Sequence, residues 1–282
     1  MFTIICPTDF SDLSHNAISY AKNIAKAIGA KIHIFHLIHP SYVTTDSSGL
    51  LLLTDDLQEQ IKLSDKKLSE LKDELLSEDI EVTTSSEYGF WETILEGLEQ
   101  NYKPNLFVTG THGATSAFAA RLFGQNSLEF VKKLSCPVLV VPAAFTFKGF
   151  KKIVYATDYQ FNDIDFVKYV IMLAKKQNSE IQFIHVNTYT ANNYEEGYME
   201  WLRDLVEKET HYGTLDFKVI DGTTVEETLE NYSEVINADM LCVSARNKNL
   251  IQELFTHNHT TKLVADAKLP LLIFHLKEDF RM

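Results

Sequence analysis

The 282-residue chain is short of the residues that mark special architectures. Its three cysteines, Cys6, Cys136 and Cys242, are odd in number and form no CxxC pair, which excludes a disulfide framework and a thiolate zinc site. Six prolines and 11 glycines are too few for a collagen-like or low-complexity chain. Basic residues are scarce as well: 26 Lys and Arg stand against 39 Asp and Glu, a formal charge of −13. That balance excludes a protein that holds nucleic acid or anionic lipid by general attraction. No apolar run nears the roughly 20 residues of a spanning helix, and Met1-Phe2-Thr3-Ile4-Ile5-Cys6 carries no basic leader. The expectation is a soluble, unprocessed, cytoplasmic protein with neither nucleic acid nor membrane as a partner. Any anion it binds needs a local device.

What is present begins with a globular balance, 45% hydrophobic and 23% charged residues. The chain also repeats itself. Ile4-Ile5-Cys6-Pro7-Thr8-Asp9-Phe10 resembles Ile153-Val154-Tyr155-Ala156-Thr157-Asp158-Tyr159, and Ile34-Phe35-His36-Leu37 meets Phe183-Ile184-His185-Val186, both 149 positions further on. Leu106 to Gly110 then matches Met240 to Ser244 at an offset of 134, and Pro137 to Val140 matches Pro270 to Ile273 at 133. The drop places a deletion in the second copy, between its second and fourth strands. Pro142 to Gly149 reads as the linker, so the halves are 1–145 and 146–282, and both are acidic.

Each half alternates short apolar runs with amphipathic stretches, the pattern of a parallel sheet covered by helices. Strands are predicted near 2–6, 31–38, 80–86, 105–109 and 137–141, and again near 152–156, 181–186, 216–220, 239–243 and 271–275. Ala17, Ile18, Ala21, Ile24, Ala25 and Ile28 predict a helix opened by Ser11 or Ser14 and closed by Gly29. The stretch 55–78 is charged and heptad-like, a helix with an exposed face. Such sheets bind ligands beyond the carboxyl ends of their strands, which directs attention to Pro7 to Asp9, the residues after His36, and the loop from Gly110 to Ser127.

That loop runs Gly110-Thr111-His112-Gly113 through Ala114 to Phe123, then Gly124-Gln125-Asn126-Ser127. Two close glycines let backbone N–H groups converge, and a third opens the next helix, whose N-terminus attracts phosphate. No Gly-Lys-Ser/Thr follows, so it is not a P-loop, and its glycines lie too far apart for the dinucleotide fingerprint. A plain Gly-rich turn with a helix capped by Asn126 and Glu129 has the same spacing. His112 can help neutralise an anion there or stand as a solvated loop residue.

Taken together, Pro7-Thr8-Asp9-Phe10-Ser11, His36-Leu37, and Gly110-Thr-His-Gly113 leading to Gly124 and Cys136-Pro137-Val138-Leu139-Val140-Val141 resemble the universal stress protein family in its tandem form. The resemblance covers nearly the whole chain. It implies two doubly wound α/β domains, each a five-stranded parallel sheet with helices on both faces, Rossmann-like and similar to the adenine nucleotide alpha hydrolase fold. It also implies ATP or AMP as ligand, with Mg as a companion. Dimers in the family form through the last strand, which a tandem chain can build by pairing its own halves; a homodimer and a regulatory protein partner are further implications. By the same resemblance Asp9 meets the adenine or ribose edge, Leu37 gives a main-chain contact to the base, and Gly110, Gly113 and Gly124 line the phosphates. Pro7 and Thr8 flank Asp9, while Thr111, His112, Gln125, Asn126 and Ser127 lie around the phosphate loop. Asp9 also reads as a cap for the following helix.

Two departures from the family stand out. ATP-binding members carry nine residues between the second and third glycines and a Ser or Thr after the third, whereas this chain has ten and Gln125. In the second half the loop reads Ser244-x2-Asn247-x9-His257-Asn258, so side chains stand where all three glycines should be. The second half is therefore expected not to bind nucleotide in the family's manner, with Asp158 a helix cap. His33, His36 and His39, three apart on a strand, alternate in face and read as ordinary polar positions; His257 and His259 are too few for a structural zinc site. No GxSxG elbow, HExxH or activated cysteine points to catalysis. The functional expectation is a stress-response protein whose first half binds an adenine nucleotide, against a nucleotide-independent scaffold of the same fold and, third, a slow ATPase. Leu50 to Leu53 reads as a helix start, and Tyr194, Tyr198 and Trp201 fit either packing or a partner.

Overall fold

A computed structural model describes residues 1–39, 55–111, 134–159, 163–188, 195–245 and 269–275. By contacts the chain forms two compact units, Met1–Thr109 and Gly110–Met282. Both are α/β, with mostly parallel strands and intervening helices.

The first unit runs β1 (Thr3–Pro7), α1 (Asp12–Ile28), β2 (Lys31–Ile38), α2 (Asp55–Leu76), β3 (Val82–Tyr88), α3 (Trp91–Tyr102) and β4 (Leu106–Thr111, whose last two residues fall past the division). Its strands lie in the order β3-β2-β1-β4. All three pairings are parallel, with Ile4 opposite Ile32 and Leu106. The chain adds β2 and β3 on one side of β1 and then returns to place β4 on the other. In open parallel sheets the carboxyl ends of the strands at such a reversal are the usual ligand position.

Local chemistry accounts for the elements. All five β1 residues are buried, as a strand covered on both faces requires. Helix α1 buries Ala17, Ile18, Ala21, Ile24 and Ala25 at helical spacing. Of the two serines that could open it, Ser11 is the N-cap, its Oγ accepting from Ser14 N at 3.3 Å, and Gly29 closes it at φ +69°. Helix α2 turns Ser64, Leu68, Leu71 and Leu75 inward and exposes the charged residues between them. The third strand begins two residues later than its apolar pattern suggests. The turn closing α2 continues to Asp79, which adopts φ +60° before Ile80 is buried.

The second unit contains β5 (Val138–Pro142), β6 (Lys152–Ala156), α4 (Asp163–Lys175), β7 (Glu180–Thr188), α5 (Glu195–Thr210), β8 (Leu215–Gly222), α6 (Val225–Val235), β9 (Met240–Ala245) and β10 (Leu271–His275). Its order is β5-β10-β9-β6-β7-β8. Pairing is parallel from β10 to β8, while β5 meets β10 antiparallel, Leu139 opposite Leu272. That ladder groups β5 by contact with residues more than 130 positions further on. From Val82 to Leu215 the offset is already 133, and α5 has 16 residues against 22 in α2. The deletion therefore lies before the third strand.

Candidate functional site

The first unit presents its chemistry at the carboxyl end of β1. Thr8 N still donates to Phe35 O of β2 at 2.8 Å, and then the chain turns away. Thr8 is buried, with its Oγ1 accepting from Phe10 N at 3.0 Å and lying 3.0 Å from Ser14 Oγ. Asp9 is half-buried, and its Oδ1 accepts from Ser11 N at 3.0 Å and from Ser11 Oγ. Burial pushes the Asp9 carboxyl up, but the bonds from Ser11 and Ser14 outweigh it and hold the group below the usual carboxylate range. Asp9 is thus an anion at neutral pH, and the capping role read for it from the sequence falls to Ser11, whose N–H and hydroxyl bond the Asp9 carboxylate.

Phe10 follows at φ +62°, a left-handed conformation uncommon for an aromatic residue. Its ring centroid lies 4.6 Å from that of His36, and Lys67 Nζ sits 4.9 Å from the Phe10 centroid. The His36 ring donates from Nδ1 to Thr8 O at 2.7 Å, the carbonyl acceptor fixing that nitrogen as the protonated one. Burial lowers the His36 pKa, opposed by the Thr8 carbonyl and the Asp9 charge, so the imidazole is neutral.

Leu37 is buried near the end of β2. A parallel strand points the N–H and C=O of alternate residues to the same side. Phe35 bonds toward β1, while Ile38 O accepts from Gly89 N beyond β3. Leu37 therefore directs its main chain toward the side on which β1 has already turned off at Asp9. Its peptide groups can read a donor and acceptor edge there, and the Asp9 carboxylate can accept from hydroxyl or amine protons.

Pro7, Thr8 and Asp9 thus form one turn, joined to His36-Leu37 through the Thr8 carbonyl. Gly110 and Thr111 end β4, both buried, and Thr111 O accepts from Ala143 N at 3.1 Å. His112, Gly113, Gly124, Gln125, Asn126 and Ser127 lie outside the described residues, as do Leu50 to Leu53, Tyr194, Asn247 and His257 to His259. Among the described residues, no three His, Cys, Asp or Glu are grouped to hold a metal ion, and no helix is long and apolar enough to cross a membrane. The three cysteines are buried free thiols.

Phe10 and the bonding role of His36 were missed by reading the sequence for charged and glycine motifs. The signal was available in the repeat, because Tyr159 and His185 stand at the same 149-residue offset and do the same work. His185 Nδ1 lies 2.9 Å from Thr157 O, Tyr159 N donates to Thr157 Oγ1 at 3.0 Å, and Tyr159 at φ +62° stacks on His185 at 4.1 Å. Tyr198 adds a further ring 5.8 Å from Tyr159.

A parallel sheet that reverses at β1, with a carboxylate on the strand end beside the reversal, defines the class of doubly wound α/β proteins. The Universal stress protein family profile matches residues 1–142 and again 149–275, and the chain belongs to that family. It is similar to a universal stress protein of Methanocaldococcus jannaschii, 32% identical over 144 residues that make up 49% of this chain and 80% of that protein. Its fold is similar to that of a universal stress protein from Archaeoglobus fulgidus, at a TM-score of 0.76 and 17% identity, covering 99% of this chain and 97% of the other. A functionally unknown protein from Pseudomonas aeruginosa shares the fold at a TM-score of 0.66 and 16% identity, over 97% and 92% of the two chains.

Proposed function

We propose that the repeat spanning 1–145 binds an adenine nucleotide, ATP or AMP, as a regulatory ligand of a stress-response protein in the cytoplasm. The observation that carries this reading is the turn that takes β1 off at Asp9, an ionised acceptor, beside a strand on which Leu37 directs its main chain toward the β1 side. An adenosine moiety offers the matching ribose hydroxyls and base edge. Pro7 and Thr8 shape the turn. Gly110, Thr111, His112, Gly113, Gly124, Gln125, Asn126 and Ser127 take the phosphates, with Mg as companion of a triphosphate. The repeat from 146 to 282 lacks the three glycines and serves as structural partner, a reading supported by the antiparallel β5–β10 ladder.

Protein denatured directly after purification should release nucleotide detectable by mass spectrometry. ATP or AMP at a hundred times its dissociation constant should stabilise the fold by about 2.7 kcal/mol. Asp9→Ala and Gly113→Val should each abolish the thermal shift, and Asn247→Val should leave it intact. No released nucleotide and no shift at millimolar ATP or AMP would overturn the reading in favour of a nucleotide-independent scaffold, which Gln125 and the ten-residue spacing favour.

A further inference from the structure

Asp9 lies between two residues held by the same imidazole. On one side His36 Nδ1 bonds the Thr8 carbonyl at 2.7 Å, and on the other the Phe10 ring rests on the His36 ring at 4.6 Å. Phe10 makes that contact at φ +62°. A non-glycine residue holds such a backbone angle only where its surroundings compensate, and here the ring contact and the bond from Phe10 N to Thr8 Oγ1 do so. The carboxylate itself is oriented from the α1 side, both Ser11 bonds falling on Oδ1 and neither on Oδ2. The backbone carrying Asp9 is therefore fixed by β2 and its side chain by α1.

We propose that His36 is a positioning residue for the nucleotide-facing Asp9: gripping Thr8 and Phe10 together, it sets where the carboxylate stands relative to the Leu37 main chain. This rests on the nucleotide reading above. The grip runs through Nδ1, which is engaged with Thr8, and through the ring contact with Phe10.

The second unit supplies an internal control. His185, Thr157 and Tyr159 build the same grip around Asp158, at 2.9 Å and 4.1 Å, in the repeat whose loop has lost its glycines. A purely structural role predicts that the two histidines are equivalent. A positioning role predicts that they cost similar stability and differ in ligand affinity.

His36→Phe keeps a ring against Phe10 and removes the donor to Thr8; His185→Phe does the same in the second unit. In the full chain, both should lower the melting temperature by comparable amounts. Isothermal titration should show His36→Phe weakening ATP and AMP about tenfold, by the same factor because Asp9 faces the adenosine and not the phosphates. His185→Phe should bind as the wild type does. His36→Asn, whose amide can return a donor near the Nδ1 position, should recover much of the loss. Should His36→Phe fail to fold, Phe10→Leu carries the same comparison against Tyr159→Leu. Wild-type binding with affinity unchanged in folded His36→Phe, or in Phe10→Leu, overturns the positioning role alone. A wild-type chain that binds neither nucleotide overturns the parent reading and this inference with it.

Discussion

His33 shows how a single buried side chain ties stability to pH. It is 1% exposed on β2, with Nδ1 2.9 Å from Thr83 Oγ1, Nε2 3.2 Å from Ser85 Oγ, and its ring 3.9 Å from that of Tyr102. Ser85 Oγ in turn donates to Glu87 at 2.6 Å. Burial brings the His33 pKa down to about 4, against about 6.5 for the unfolded chain. Within that window the unfolded chain takes up a proton that the folded chain refuses. The contribution is therefore fully present above pH 6.5 and is lost as pH falls toward 4, a span on the order of 3 kcal/mol. His33→Gln, which keeps polar atoms beside the two hydroxyls and does not titrate there, should flatten the fall in urea midpoint between pH 7 and pH 4.5. A slope identical to that of the wild type would assign the acid sensitivity elsewhere. Asp9 works in the same direction further into acid, since its carboxyl is held below the usual range in the fold and the contribution of its bonds with Ser11 is lost as pH falls through the carboxylate range.

At the level of elements, the junction between β8 and α6 is the tightest glycine position among the described residues. A Cβ on Gly222 would come within 1.9 Å of Thr228 Oγ1 and 2.8 Å of Thr228 Cβ. Thr228 cannot simply swing aside, because its hydroxyl donates to Thr224 O at 2.6 Å in the first turn of α6. Gly222→Ala should destabilise by roughly 1–3 kcal/mol, typical of overpacking. Adding Thr228→Ala should recover most of that loss; equal melting temperatures for the single and double variants would refute the clash. Nothing in the sequence around Gly222 marks it, because the constraint is a distance across a turn. The strands and α1 were legible for the opposite reason. Runs such as Ile4-Ile5-Cys6, the periodic alanines and isoleucines of α1, and Gly29 at its end carry their signals within a few residues. The grip of His36 on Thr8 and Phe10 joins positions 28 and 26 apart, so it depends on the parallel register of β1 and β2 and was recorded in the sequence only as a repeated letter. Of the candidate site, the order of Asp9, Leu37 and the glycines was legible, while the direction of the Leu37 main chain had to come from which neighbour Phe35 bonds.

For the chain as a whole, the repeat and the contacts divide it at different places, and β5 is the reason. Its five residues are buried, Val138, Val140 and Val141 completely, and its described antiparallel ladder sets Val138, Leu139 and Val140 opposite Ile273, Leu272 and Leu271. Cross-strand apolar pairs of this kind hold a sheet together without any need for a covalent link between the strands. The segment joining β5 to β6 is accessible, with Ala143, Ala144, Thr146 and Lys148 exposed. A protease site inserted between Phe145 and Thr146 should therefore be cut in the folded protein, and the ladder should survive the cut. The two pieces, 1–145 and 146–282, are expected to elute together from gel filtration at the position of the uncut chain and to part only in denaturant. Pieces that separate under native conditions would show that the β5–β10 pairing is too weak to join the repeats, and that the covalent linker, rather than the ladder, keeps the halves in one molecule.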